Sequence, residues 1–333
     1  MRIAVDAMGG DYAPREIVDG AVRAARELPH IDRLYLVGRE SAIRAALPRG
    51  PQPASVEIVP AAEVIEMQES PAAAVRRKRD SSIARAVDLV KEGEADAVFS
   101  AGNTGAVVAA TTLKLRPLEC VERPAIAAVL PSIGEPFVLI DAGANPECSP
   151  RMLAQFAAMG VVYAREILGI ATPRVGLLSI GGEESKGNVM TRETLGLLKR
   201  SPLHFQGNVE GHDLFAGAVH VVVCDGFVGN VVLKTSESAA HFLGQLLRQE
   251  LTRSPGRKIG ALLARPALEA VRQRGDPAAY GGAPLLGVNG VCIVGHGSSS
   301  ARAAFNAVRA ARDAVEHRIN HLITETIGRV EAA

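Results

Sequence analysis

The sequence predicts an α/β fold: a three-layer α/β/α sandwich with a mostly parallel sheet between two layers of helices. Short runs rich in Val, Ile and Leu alternate with helical patterns along the 333-residue chain, an alternation typical of βαβ units. Several of these runs are apolar at every position, as strands buried on both faces should be. No tandem repeat is present, which argues against solenoids and propellers. With 47% apolar residues, the chain can fill one large α/β domain, residues 1–333.

The predicted strands are short apolar runs, several of them followed by a glycine-rich turn. In chain order they cover 3–6, 33–37, 56–59, 95–100, 125–130, 137–141, 174–180, 219–224 and 290–294. The predicted helices carry apolar residues at every third or fourth position. They cover 14–28, 81–92, 150–168, 190–199, 235–251 and 300–327.

Composition narrows the classes of function. The chain has 37 Lys and Arg against 36 Asp and Glu, a formal charge of +1, which disfavours a nucleic-acid binder that relies on a basic field. Four cysteines lie far apart without a C-x-x-C pair, which indicates reduced thiols in a cytosolic protein rather than a zinc knuckle. No long apolar stretch or signal peptide is found, so we expect a soluble protein that stays inside the cell.

Six polar, glycine-containing turns follow predicted strands. They cover 7–14, 100–105, 141–146, 181–188, 225–230 and 295–300. In an open α/β sheet, the loops at the carboxyl ends of the strands form the ligand crevice, so we expect these six loops to face one cleft. Glycine lets backbone N–H groups approach a ligand, and the following helix adds the positive end of its dipole. Such turns suit phosphate.

The turn at 100–105 offers the clearest phosphate donors. Asn103 and Thr104 follow Gly102 where a helix is expected to start, and Gly105 follows them. Backbone N–H groups, an amide and a hydroxyl are therefore close together. The alternative interpretation is a helix N-cap without any ligand. No Walker A or G-x-G-x-x-G sequence follows the first strand, so a nucleotide is not indicated.

Three further side chains carry candidate chemistry. Lys186, beside Asn188 in a glycine-rich turn, is a candidate for holding a phosphate charge, or else a solvated lysine. Asp225 ends an apolar strand and can cap the next helix, orient a basic partner or act as a base. His296 lies in a Gly and Ser turn that includes Ser298. It can protonate a leaving thiolate, polarise a carbonyl or make a structural hydrogen bond.

Residues 246–275 differ from the rest of the chain. Seven Arg and Lys oppose two Glu in this segment, beside apolar residues at helical spacing and Pro266. A basic amphipathic helical hairpin fits docking to an acidic protein or an anionic membrane. An ordinary hairpin packed on a dimer partner is the alternative. The exposed candidates are Arg257, Lys258, Ile259, Leu262, Leu263 and Arg265.

Several strings together resemble the bacterial phosphate acyltransferase family, the acyl-carrier-protein:phosphate acyltransferases of phospholipid synthesis. They occur in the same order along nearly the whole chain. The strings are DAMGGD at 6–11, KRDSS at 78–82, SAGNTG at 100–105, KGN at 186–188, GNVEG at 207–211, VCDGFVGN at 223–230, YGGAPLLG at 280–287 and GHGSS at 295–299.

The resemblance implies transfer of a fatty acyl group from acyl-[acyl-carrier-protein] to inorganic phosphate. The product, acyl phosphate, would feed a membrane glycerol-3-phosphate acyltransferase on the route to phosphatidic acid. A Rossmann-like fold related to phosphotransacetylases and isocitrate dehydrogenases is implied as well. The resemblance also implies a homodimer that associates peripherally with the membrane and needs no metal, nucleotide or other cofactor.

Phosphate is itself the nucleophile in that reaction, so no Ser-His-Asp or Cys-His assembly is required. We assign phosphate binding and catalytic roles each to residues of three loops. The phosphate set is Gly102, Asn103, Thr104, Gly105, Asn188 and Ser298, and the catalytic set is Lys186, His296, Asp225 and Asn230. The acyl carrier protein or the membrane would meet the basic segment.

Two other classes of function remain open. A metal-dependent dicarboxylate dehydrogenase of related fold would bind a nicotinamide cofactor in the same cleft. That chemistry needs a cluster of aspartates, whereas the loops supply mainly Asn, Ser and single Asp residues. A non-enzymatic scaffold for a carrier protein or membrane would use only the basic segment and leave the polar loops without a role.

Overall fold

A computed structural model describes residues 1–275 and 279–333 of the chain. These residues form eleven strands in one mixed sheet, which confirms the α/β class. The strands are β1 Arg2–Asp6, β2 Arg33–Gly38, β3 Val56–Pro60, β4 Ala97–Ser100, β5 Ala125–Leu130, β6 Phe137–Ile140, β7 Val175–Leu178, β8 Phe205–Val209, β9 Val221–Val223, β10 Ala283–Leu286 and β11 Val291–Val294.

Helices connect most of these strands. They are α1 Arg15–Glu27, α2 Glu40–Ala46, α3 Pro71–Arg77, α4 Ser82–Lys91, α5 Thr104–Lys114, α6 Pro150–Glu166, α7 Val189–Arg200, α8 Gly226–Thr252, α9 Pro255–Leu263, α10 Arg265–Arg274, α11 Ala301–Glu316 and α12 Ile319–Glu331.

The sheet consists of two parallel halves that run in opposite directions. Its order is β3-β2-β1-β4-β11-β10-β5-β6-β9-β7-β8. The first five strands are parallel to one another. Three antiparallel pairings then follow, β11 with β10, β10 with β5 and β5 with β6. The last four strands are again parallel to one another, so their carboxyl ends point the other way.

Alternate residues of the strands pack on opposite faces of the sheet. Ile3 and Val5 of β1 pack with α1 and α11, whereas Ala4 between them packs with α4 and α5. In the other half, Ile140 of β6 packs with α6 and Leu139 packs with α8. Because helices cover both faces, the strands read as continuous apolar runs. The result is the three-layer arrangement predicted from the sequence.

Some element boundaries differ from the predictions. The helix predicted over 300–327 is two helices, α11 and α12, because Arg318 between them has φ 51°. Helix α8 begins at Gly226 rather than at 235. Its first turn contains Gly226 and Gly229, which are poor helix formers. Glycine is required at 229 because an added Cβ there would collide with the carbonyl oxygen of Asp141. The predictions also missed β8, β10, α2 and α3, whereas the helix start expected after Gly102 is confirmed as that of α5.

The basic segment 246–275 lies on the outside of the fold. It comprises the end of α8 together with α9 and α10, and no residue of α9 or α10 is buried. Ile259, Leu262 and Leu263 are 63%, 66% and 80% exposed. In the described parts of the chain, none of the helices combines the length and apolar character needed to cross a membrane.

The close approach of α1 and α11 gives a test of the packing. An added Cβ on Gly20 would lie 2.7 Å from Ala304 Cβ and 2.9 Å from the Phe305 nitrogen. We expect Gly20→Ala to lower the free energy of unfolding by about 1–3 kcal/mol through overpacking. Gly328→Ala in α12, with nothing within 4 Å of the new methyl group, should raise it by about 0.5–1 kcal/mol. Urea unfolding of both variants measures these changes in the free energy of unfolding. Equal values for the two variants would contradict the close contact between α1 and α11.

Candidate active site

Three of the predicted loops meet at the carboxyl ends of β1, β4 and β11. The backbone nitrogen of Asp11 donates to the carbonyl of Gly297 at 2.7 Å. A Cβ on Gly9 would lie 2.6 Å from the Gly102 nitrogen, so only glycine allows the first two loops to approach this closely. These contacts bring 7–14, 100–105 and 295–300 together as one group, the first loop group.

Asn103 is the N-cap of α5. Its Oδ1 accepts from the Ala106 nitrogen at 3.1 Å, while its Nδ2 donates to the carbonyls of Met67 at 3.0 Å and Glu69 at 3.1 Å. The amide therefore ties the helix start to the segment before α3. Within α5, the N–H groups of Thr104 and Gly105 have no intrahelical acceptor because they lie in the first turn. They remain the backbone donors of this loop.

His296 and Ser298 form a compact turn in the third loop of this group, and both are exposed. The His296 Nδ1 lies 3.2 Å from the Ser298 nitrogen, which donates to it, and 2.8 Å from the Ser298 Oγ. Because a backbone N–H can only donate, Nδ1 is the acceptor and the neutral ring carries its proton on Nε2. Nε2 can therefore donate a hydrogen bond to a substrate oxygen or sulfur.

A buried carboxylate that the sequence analysis did not single out lies beneath the first loop group. Asp6, at the end of β1, is 2% exposed. Its oxygens accept from the Ser100 Oγ at 2.6 Å and the Met8 nitrogen at 3.2 Å. Burial raises the pKa of Asp6, and hydrogen bonds from Ser100 and Ser82 oppose that rise. The available signal was an aspartate that ends an apolar strand before Gly9 and Gly10.

A second loop group lies at the carboxyl ends of β6, β7 and β9. Asp141 is fully buried and accepts from the backbone nitrogens of Ile126, Gly143 and Ala144 at 3.0 Å each and of Asn145 at 2.7 Å. Burial raises the pKa of this carboxyl, and the hydrogen bonds oppose the rise. The carbonyl of Asn145 in turn accepts from the Gly226 nitrogen at 2.8 Å. Asp141 thus fixes the loop against which α8 begins.

Asp225 and Asn230 lie at the start of α8. The Asp225 Oδ1 accepts from the Val228 nitrogen at 2.9 Å, so Asp225 is an N-cap. The Asn230 Cβ and Cγ lie 3.4 Å from the position that a Cβ on Gly143 would take. Asn230 therefore packs against the loop at Gly143, where φ of 140° favours glycine. The sequence left three roles open for Asp225, and the contacts show that of a helix cap.

Lys186 is exposed in the loop between β7 and α7. Its backbone nitrogen donates to the carbonyl of Glu183 at 3.0 Å, and the Nδ2 of Asn208 donates to the same carbonyl at 2.9 Å. The Asn188 Oδ1 accepts from the Thr191 nitrogen at 2.9 Å, which makes Asn188 the N-cap of α7. Among the described residues, the buried Asn208 Oδ1 and Ser179 Oγ have no hydrogen-bond partner, which marks unused polar capacity beside this loop.

The six loops, expected to face one cleft, fall into two groups, because the two halves of the sheet run in opposite directions. Lys186, Asn188, Asp225 and Asn230 belong to the second group, and the other phosphate and catalytic candidates belong to the first. The first group lies at the carboxyl ends of one half of the sheet, and the second lies at the carboxyl ends of the half that runs in the opposite direction.

Helices α5 and α8 cover the same face of the sheet between these groups. Leu233 of α8 packs against the buried cluster that contains Val107 and Ala110 of α5. The floor between them is formed by β10 and β5, which supply Leu285, Ile126 and Ala128 to that cluster. Helices α5 and α8, with the glycine-rich loops that precede them, therefore lie on the same face of the sheet. Within residues 1–275 and 279–333, no group of three or more His, Cys, Asp or Glu side chains is arranged to hold a metal ion.

The cap at Asp225 gives a test that separates its structural role from its charge. Asparagine caps a helix as well as aspartate does, whereas alanine does not. We expect Asp225→Ala to lower the free energy of unfolding by about 1 kcal/mol and Asp225→Asn to change it by less than about 0.5 kcal/mol. Thermal unfolding of both variants is the measurement. Equal losses would show that the negative charge, and not the cap, stabilises α8.

Comparison with solved structures shows the fold that the resemblance implied. A phosphotransacetylase from Streptococcus pyogenes is similar, with a TM-score of 0.58, 19% identity and coverage of 95% of this chain and 94% of that one. A branched-chain phosphotransacylase from Enterococcus faecalis has a TM-score of 0.55, 15% identity and coverage of 95% and 99%. A 4-hydroxythreonine-4-phosphate dehydrogenase from Klebsiella pneumoniae shares the fold at a TM-score of 0.53, 13% identity and the same coverage. At these identities the likeness concerns the fold alone.

Comparison of sequences gives much closer relatives. Proteins named phosphate acyltransferase are 52% identical over 334 residues in Desulfitobacterium hafniense, covering 100% of this chain and 99% of the relative, and 53% identical over 331 residues in Pelotomaculum thermopropionicum, covering 99% and 96%. The family model described as "Fatty acid synthesis protein" matches residues 1–322. The chain is therefore an acyltransferase that belongs to the fatty acid synthesis protein family.

Proposed function

We propose that this acyltransferase moves a fatty acyl group from acyl-[acyl-carrier-protein] to inorganic phosphate and so forms acyl phosphate. The observation that carries the proposal is identity of about half the residues, along the whole chain, with relatives named phosphate acyltransferase. The acyl phosphate would be consumed by a membrane glycerol-3-phosphate acyltransferase on the route to phosphatidic acid.

The chemistry needs no nucleophile from the protein. A phosphate oxygen attacks the thioester carbonyl carbon, and a tetrahedral intermediate forms with negative charge on the former carbonyl oxygen. The carbon–sulfur bond then breaks, acyl phosphate is released and the carrier thiolate takes up a proton. Holding phosphate beside the thioester and stabilising the oxyanion are the two tasks of the enzyme, and each can contribute several kcal/mol.

The two loop groups supply groups suited to both tasks. In the first group, the N–H groups of Thr104 and Gly105 at the start of α5 would bind phosphate, since a helix N-terminus favours an anion. The Nε2 of His296 would donate to the thioester oxygen or to the leaving sulfur. In the second group, Lys186 would place a positive charge at the phosphate, and Asn230 would bind the thioester.

The capping contacts refine these proposed roles. Asn103, Asn188 and Asp225 each use a side-chain oxygen to cap a helix. Their contribution to phosphate binding or orientation would therefore come through the backbone that they fix rather than through free side chains.

An assay of acyl phosphate formation tests the proposal directly. The purified protein, acyl-[acyl-carrier-protein] and phosphate should yield acyl phosphate without a nicotinamide cofactor or magnesium. Reduction of a nicotinamide cofactor when a hydroxy dicarboxylate and magnesium are supplied, with no acyl phosphate formed, would favour a dehydrogenase. No turnover under either condition, with carrier-protein binding retained, would favour a scaffold. A covalent acyl-enzyme trapped during turnover would contradict direct attack by phosphate.

Lys186 is the sharpest single probe of phosphate binding. We expect Lys186→Ala to raise the KM for phosphate by about 10- to 100-fold while the protein stays folded. Lys199→Ala is the matched control, because Lys199 pairs with Glu184 at the exposed end of α7 and has no proposed role. Initial rates across phosphate concentrations give both constants. Unchanged phosphate saturation in Lys186→Ala would discard the role.

We further propose that the exposed helices of the chain form a dimer interface and the carrier-protein or membrane contact. Phe242, Leu243, Leu246 and Leu247 of α8 are 45–62% exposed and lie at helical spacing on one face, as a helix packed against a second copy requires. Arg257, Lys258 and Arg265 of the basic segment are exposed beside the apolar side chains of α9. Acyl carrier protein would meet these charges, and a membrane surface would meet the apolar tip.

The charge of this segment can be reversed without touching either loop group. We expect the triple change Arg257→Glu, Lys258→Glu and Arg265→Glu to raise the KM for carrier-borne substrate by about tenfold or more, because charge complementarity is lost. A short-chain soluble thioester should react as before. Reversal of the exposed Arg39, Arg49 and Arg329 serves as a control of equal charge. The proposal fails when the triple variant slows both substrates equally.

A further inference from the structure

The carboxylate of Asp6 connects β1 to two loops of the first loop group and lies beside the start of α4. It ends β1, accepts from the hydroxyl of Ser100 at the end of β4, and accepts from the nitrogen of Met8 in the loop before α1. Ser82, the first residue of α4, also lies beside this carboxylate and lowers its pKa. All three polar side chains, those of Asp6, Ser82 and Ser100, are 0–2% exposed.

Ser100 connects this carboxylate to the loop that precedes α5. A serine hydroxyl has one proton and two lone pairs. Its proton goes to the Asp6 Oδ2 at 2.6 Å, so a lone pair faces the Gly102 nitrogen, which donates to it at 3.2 Å. The orientation of the hydroxyl is therefore fixed by Asp6, and the position of the Gly102 backbone is fixed by the hydroxyl.

We propose that Asp6 is a positioning residue that acts through Ser100 to hold the N–H groups of Thr104 and Gly105 in the geometry that binds phosphate. This inference rests on the proposed function of the loop. A cavity of about 10 Å³ is lined by Asp6, Ser82 and Ser100 together with Asn103 and Ala106 at the start of α5. This cavity has room for about one water molecule and not for phosphate. Asp6 therefore acts indirectly, through Ser100, and does not touch the substrate.

Ser82 provides an internal control for a purely structural role. Its side chain lowers the pKa of the same carboxylate and is 2% exposed, against 0% for Ser100, but it lies on α4 and does not contact Gly102. Removal of either hydroxyl takes a polar neighbour from Asp6. Only removal of the Ser100 hydroxyl also frees the loop before α5.

The experiment compares Ser100→Ala with Ser82→Ala in two assays. Phosphate binding is measured by calorimetry on the purified protein without acyl donor, and acyl phosphate formation is measured at varied phosphate and varied acyl donor. We expect Ser100→Ala to weaken phosphate binding and raise the KM for phosphate by about 10- to 100-fold, with the KM for acyl donor within about twofold. Ser82→Ala should lose similar thermal stability and keep both phosphate constants. Asp6→Ala should act as Ser100→Ala does, where it folds.

The outcomes separate this inference from the proposed function. Phosphate binding that is lost in Ser100→Ala but kept in Ser82→Ala supports the positioning role even when no acyl phosphate forms, and in that case only the proposed function fails. Equal effects of the two variants on phosphate binding, or no effect of Ser100→Ala, overturn the positioning role. A wild-type protein that binds no phosphate overturns it as well.

Discussion

Two buried carboxylates set the shape of the candidate site, Asp6 at the end of β1 and Asp141 at the end of β6. Removal of a carboxylate from water is costly unless hydrogen bonds replace the lost hydration. The donors come from the backbone of the loops themselves and from a serine hydroxyl for Asp6, and chiefly from the backbone for Asp141. A loop that must satisfy a buried charge has little freedom to move, so both loop groups are arranged before any ligand arrives.

Each carboxylate is connected by hydrogen bonds to the start of one helix. Asp6 reaches α5 through Ser100 and Gly102, and Asp141 reaches α8 through Asn145 and its bond to Gly226. A buried carboxylate that is linked to a helix start thus occurs once in each half of the sheet. The halves run in opposite directions, yet Leu233 of α8 packs against the cluster that contains Val107 of α5, so both helices cover one face of the sheet.

The fold class and most strands could be predicted from the sequence, because buried strands of a covered sheet are continuous apolar runs. The missed strands lack that signal: β8 contains Gln206, Gly207 and Asn208, and β10 has four residues of which one is Pro284. The glycine-rich loops were found because they follow strands. Their division into two groups was not predictable, since the reversal at β10, β5 and β6 depends on which strands pair in space. Asp6 and Asp141 were missed for a similar reason, because burial of a carboxylate is a tertiary property.

The polar residues of the loops divide according to what their hydrogen bonds leave available. Three candidates for substrate contact are helix caps: Asn103, Asn188 and Asp225. Each uses a side-chain oxygen to accept a hydrogen bond from the first turn of a helix. A cap holds the neighbouring N–H groups in place, so the backbone becomes the donor and the side chain its support. Lys186 and His296 are exposed and keep a cationic group and an Nε2–H for a substrate. A reaction whose nucleophile is phosphate needs this combination of fixed donors and one charge, and it needs no activated side chain.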